Sequence, residues 1–127
     1  VRRLIEPIRS KTNPHLKRVR RLREKRDRSL VILEGSRLLE EALPRGIEEA
    51  FFTPKAERKN ADLVERLRSE GVEVHVVDEG LLALLSDLET SQGALAIARR
   101  PAFSDRELFT PPALILVLCE IQNPGNV

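Results

Sequence analysis

The sequence predicts an α/β layered domain, and three observations carry that prediction. Apolar runs of strand length (30–33, 47–53, 72–77 and 94–98) alternate with stretches whose apolar residues recur at helical spacing. Turn residues separate them: Gly35, Pro44 with Gly46, Pro54, Gly71 and Gly93. A length of 127 residues, 41% apolar and 33% charged, suits one folded domain and the start of another rather than disorder.

Residues 1–12 read as irregular, with Pro7 and a polar Ser10-Lys11-Thr12 stretch. Asn13-Pro14 opens a helix, Asn capping free amides and Pro suiting the first helical position. Leu16, Val19 and Leu22 give it a narrow apolar seam, and the pattern runs to about residue 28. A strand at Leu30–Leu33 follows, stopped by Glu34-Gly35. Ser36–Leu43 reads as a helix with Leu38, Leu39, Ala42 and Leu43 inward, and Ile47–Thr53 as a second strand closed by Pro54. Asn60 is expected to cap a helix through Glu70, with Leu63, Val64 and Leu67 on one face and Gly71 as its stop. Val72–Val77 alternates as a third strand, Asp78 opens a helix to about Ser86, and a polar turn at 89–93 leads into strand Ala94–Ala98.

Residues 1–100 therefore form the expected domain, and 101–112, with their prolines and charges, an expected linker. Ala113–Ile121 is nearly unbroken apolar sequence, the kind of strand buried on both faces of a parallel sheet. Such a strand does not stand alone, so 113–127 is expected to begin a second domain that this chain does not complete.

Charge is unevenly placed. Residues 1–28 hold 12 of the 22 Lys/Arg but only three of the 20 acids. A basic end on an acidic body points to a polyanion, nucleic acid first, with an acidic protein as the plainer alternative. The candidate RNA contacts are Arg9, Lys11, Asn13, His15, Lys17, Arg18, Arg21 and Arg28. With four Phe and no Tyr or Trp, base stacking has few platforms, so recognition leans on phosphates and polar groups.

No apolar run approaches membrane-spanning length, and the N-terminus has no secretory pattern. The lone Cys119 excludes a disulfide framework and fits a reducing, cytoplasmic setting; in an apolar strand it reads as a buried, inert thiol. His15 and His75 are far apart in sequence with no ligand spacing around them, so no metal is expected and each reads as a surface residue. Glu34-Gly35 is a turn and cap or an RNA contact; Ser91-Gln92-Gly93 is equally consistent with a tight turn. No Ser-His-Asp set or Gly-x-Gly-x-x-Gly loop is present. Asn123-Pro124-Gly125-Asn126, after the last strand, is a turn or a ribose or phosphate contact.

Four stretches in order resemble the SpoU (TrmH-type) RNA 2′-O-ribose methyltransferases of the knotted SPOUT class. Ser10-Lys11-Thr12-Asn13-Pro14 is similar to the family's opening Ser-x-x-Asn-Pro, and 33–43 to its Glu-Gly-x-Arg-Leu segment. Ser91-Gln92-Gly93 resembles Pro-Gln-Gly, with Ser91 in the Pro position. Glu120 to Val127 resembles the first catalytic motif, with Glu120 where Asp is common. The resemblance implies an L30e-like α/β/α sandwich with a mixed sheet that binds rRNA or tRNA, then the first strand of a trefoil-knot domain that holds S-adenosylmethionine and forms a homodimer. Asn126 matches that motif's Asn. The other catalytic residues and the cofactor site fall beyond the chain, which alone is expected to be inactive. A non-enzymatic L30e-type RNA-binding protein is the alternative.

Overall fold

The computed structural model describes residues 6–25, 27–117 and 119–120. Its elements are α1 (Pro14–Glu24), β1 (Leu30–Glu34), α2 (Ser36–Ala42) with a 3-10 turn (Leu43–Arg45), β2 (Ile47–Phe52), α3 (Pro54–Lys59), α4 (Ala61–Ser69), β3 (Glu73–Val76), α5 (Glu79–Leu85), β4 (Ala94–Arg99) and α6 (Asp105–Leu108). The strands form one mixed sheet in the order β1-β4-β2-β3. β4 runs antiparallel to both neighbours, and β2 and β3 are parallel. Ile8 extends the outer edge with a parallel bridge to Val77.

Period-two alternation divides the strand residues between two cores. Phe52, Ala94, Ala96 and Ala98 face α2, α3 and α4, where Leu39, Ala56, Leu63, Val64 and Leu67 are buried. Phe51, Leu95 and Ile97 face α1 and α5, against Leu16, Val19, Leu81, Leu82 and Leu85. Helices thus cover both faces of the sheet, the layered α/β arrangement that the alternation of elements predicts.

Several boundaries differ from the sequence reading. Helix α1 stops at Glu24 instead of residue 28, because Asp27 takes the Ser29 amide (2.7 Å) and hydroxyl (2.6 Å) in a local turn that competes with further helix. Pro54 starts a helix rather than only ending a strand: Thr53 is its N-cap and accepts from the Ala56 amide. Asn60 does not cap α4 with its side chain. It closes α3 instead, with its amide nitrogen and side-chain NH2 both donating to the Ala56 carbonyl. Leu38, expected inward, is 48% exposed. The expected linker contains α6, held by a capping box between Ser104 and Glu107.

The described part of the expected strand at 113–121 pairs with no other strand. Leu114, Leu116 and Val117 are exposed, and so is Cys119, contrary to the buried thiol read from the sequence. The outer strands of the sheet are β1 and β3, and the described part of this stretch joins neither. The rest of that stretch, Asn126 included, lies outside the described residues.

Candidate functional site

The carboxyl ends of β1 and β2 and the start of β4 open on a cleft of about 750 Å³, lined by Ser36, Thr53, Lys55, Lys59, Asn60 and Gln92 among others. Helices α2, α3 and α5 all begin near its rim, and its lining carries two lysines, tempered by Glu79 and Glu89. Two stretches distant in sequence build this end. Gly35 (φ +94°) lies so close to Gln92 that a Cβ there would stand 2.5 Å from Oε1. A Cβ on Gly93 (φ +73°) would stand 2.7 Å from Thr53 Oγ1. Main-chain bonds from Gly35 to Ala94 and from Thr53 to Gly93, both 2.9 Å, complete the join. The positive φ of Gly93 and this close backbone approach are the reason for the glycine of Ser91-Gln92-Gly93.

Glu34 neither caps α2 nor faces this cleft. Its side chain, 13% exposed, turns to the α1–α5 side, where it accepts from Arg23 Nη2, Ser86 Oγ (2.5 Å) and the Asp87 amide (2.9 Å). Arg23 also donates to the Leu85 carbonyl (2.7 Å) and pairs with Asp87. Burial alone would raise the Glu34 carboxyl; the bonds from Asp87, Ser86 and Arg23 outweigh it and hold the group below the usual carboxylate range. The cluster fastens the second half of α1 and the end of α5 to β1.

At the first turn of α1, a second cluster surrounds Glu49, a buried carboxylate of β2. Arg18 forks between Glu49 Oε1 and Glu48 Oε2 (2.6 Å). His15 Nδ1 lies 2.9 Å from Glu49 Oε2. His75 is no surface residue: its side chain is 12% exposed, stacked on Phe51 with ring centroids 5.1 Å apart. The His15 and His75 rings are 4.1 Å apart, so histidines separate in sequence meet across the α1–β3 contact. His75 Nε2 is buried without a hydrogen-bond partner. Burial, then the neighbouring His15, lowers the pKa of His75 despite Glu73 and Glu49. Burial opposes ionisation of Glu49 too, yet Arg18 and His15 lower its pKa. The sequence carried one unused signal for this cluster: Glu49, an acid inside an otherwise buried strand, needs cations brought to it.

Residues 13–96 match the family described as the MRM3-like substrate binding domain. The chain belongs to this family. An uncharacterized tRNA/rRNA methyltransferase of Synechocystis sp. is 32% identical over 131 residues, covering 97% of this chain and 46% of that protein. The crystal structure of an RNA 2′-O ribose methyltransferase superposes with a TM-score of 0.64 at 32% identity, over 95% of this chain and 48% of the other. An rRNA methyltransferase from Sinorhizobium meliloti shares the fold at 22% identity and a TM-score of 0.63, over 79% of this chain and 38% of the other. The chain spans about half the length of the relatives it matches.

The eight candidate RNA contacts, six of them within the matched residues 13–96, fall into two groups. Arg9, Lys11, Lys17, Arg21 and Arg28 are exposed, and none makes a salt bridge among the described residues. Asn13 accepts from the His15 amide (2.9 Å) as the cap of α1, while His15 and Arg18 are engaged by Glu49. The first group is available to a ligand; the second already has structural partners.

Proposed function

We propose that this chain is the RNA-binding portion of an enzyme that methylates a ribose 2′-hydroxyl of rRNA or tRNA with S-adenosylmethionine as donor. The observation that carries the reading is the substrate-binding family match over residues 13–96, together with 32% identity to an RNA 2′-O ribose methyltransferase over nearly the whole chain. Arg9, Lys11, Lys17, Arg21 and Arg28 contact phosphates, and each phosphate neutralised releases counterions that favour binding. The cleft at the strand ends adds Lys55 and Lys59 on the same polyanion.

The residues of this cleft do not fit the methyl donor: it is open, has no aromatic side chain in its lining to hold an adenine ring, and carries two lysines that would repel a sulfonium cation. No step of methyl transfer is assigned to them. In the intact protein the catalytic half begins with the stretch that holds the first-motif Asn126 and continues beyond it, and the enzyme acts as a cytoplasmic homodimer.

Two measurements test the reading. The intact protein, given S-adenosylmethionine and total rRNA and tRNA, should produce a 2′-O-methylated nucleoside in the nuclease digest; methylation on a base alone refutes it. For this chain, Lys17→Ala with Arg21→Ala should weaken binding to an RNA hairpin and flatten the plot of log affinity against log salt by about 0.7–0.9 per lost contact. An unchanged slope removes α1 from the interface.

A further inference from the structure

We propose that His15, Glu73 and His75, braced by Glu49, form a site for a zinc-type divalent metal ion that joins α1 to β3. The four side chains present atoms that all lie within 4.8 Å of one another. His75 Nε2 is 3.8 Å from Glu73 Oε1 and 3.3 Å from Glu49 Oε2, and His15 Nε2 is 3.9 Å from Glu73 Oε1. Zinc bonds to nitrogen and oxygen of about 2.0–2.2 Å require neighbouring corners of a tetrahedron to lie about 3.3–3.6 Å apart. The His–Glu separations are within a few tenths of an ångström of that requirement, and His15 and Glu73, the more exposed side chains, can move to close the rest.

The buried Nε2 of His75 is the second observation. A polar nitrogen withdrawn from water without a hydrogen bond is costly, and here it points among three other ligand-type groups. Coordination satisfies it. Glu49 supports His15 in the manner usual for metal-bound imidazoles: its Oε2 accepts from Nδ1 and leaves Nε2 turned toward Glu73. Arg18 in turn holds the other Glu49 oxygen. Imidazole with carboxylate suits zinc, cobalt, nickel or copper rather than magnesium or calcium. An ion can enter from solvent past Glu73, which is 59% exposed. The site lies at the start of the helix that bears Lys17 and Arg21, yet it does not depend on RNA being the ligand.

The test uses the whole chain as Cys119→Ser, since an exposed thiol would bind zinc itself. After chelator treatment, calorimetric titration with zinc should show one ion per chain, and cobalt should give the visible absorption of a low-symmetry site. Glu73→Gln and His15→Gln, both solvent-accessible changes, should each weaken zinc binding at least tenfold while the circular dichroism stays that of the parent. Glu49→Gln should weaken it ten- to a hundredfold through His15. Absence of one-to-one binding, or zinc affinity unaltered in both Glu73→Gln and His15→Gln, overturns the proposal.

Discussion

Replacing Glu34 by Ala removes a single acceptor from three donors at once: the Arg23 guanidinium, the Ser86 hydroxyl and the Asp87 amide. Breaking a buried ion pair by deleting one partner typically costs about 3–5 kcal/mol. Arg23 keeps Asp87 and the Leu85 carbonyl, and its side chain is 21% exposed, so the lower end of that range applies here. The expected loss is about 3 kcal/mol, or a thermal midpoint lower by roughly 12–20 °C for a domain of this size. With no Trp or Tyr, far-ultraviolet circular dichroism in urea is the suitable readout. Glu40→Ala, which breaks the exposed pair with Arg66, is the control and should cost under about 1 kcal/mol. The effect also has a definite pH sign. The folded-state pKa of Glu34 is depressed, so its contribution is complete above the unfolded value, about 4.3, and fades as pH falls through the folded value. The stability gap between the parent and Glu34→Gln should therefore close in acid. A loss no larger than the Glu40→Ala control, or a gap that widens below pH 4, would refute this account of the clamp.

Gly93→Ala forces a Cβ into positive φ against Thr53 Oγ1 and should cost roughly 1–3 kcal/mol in urea unfolding, with Gly71→Ala, open on all sides, cheaper by the packing part. Arg18→Met leaves Glu49 buried without its guanidinium and should lower stability by about 2–4 kcal/mol. RNA affinity measured on the still-folded Arg18→Met chain should fall less than for Arg21→Ala; the reverse order would return Arg18 to the interface. Phe51→Ala, at a fully buried position, should cost about 3–5 kcal/mol by thermal melt.

The layered fold was legible because each strand and most helices carry their own periodicity and stops. Leu63, Val64 and Leu67 announced the buried face of α4, and Asp78 announced the start of α5. The Thr53-Pro54 pair also signals helix α3, since a proline that ends a strand equally suits the first position of a helix. The side-chain clusters were not legible, because they are products of tertiary contact. Nothing local to Arg23 says that its partner is Glu34 rather than a phosphate, and Arg18 looks like any other cation on a basic helix. Only packing the helix on the sheet sorts the bases into anchors and free charges. His15 and His75 show the same limit, since ligand spacing along a chain fails to register groups assembled across three elements.

Strand β4 sits between β1 and β2, yet it is the last strand of the sheet to be synthesised. On the ribosome, β1 emerges and waits without a hydrogen-bonding neighbour until the residues up to Arg99 have cleared the exit tunnel. Only β2 and β3 can pair earlier. The sheet of the nascent domain is thus incomplete until β4, which joins β1 to β2, becomes available.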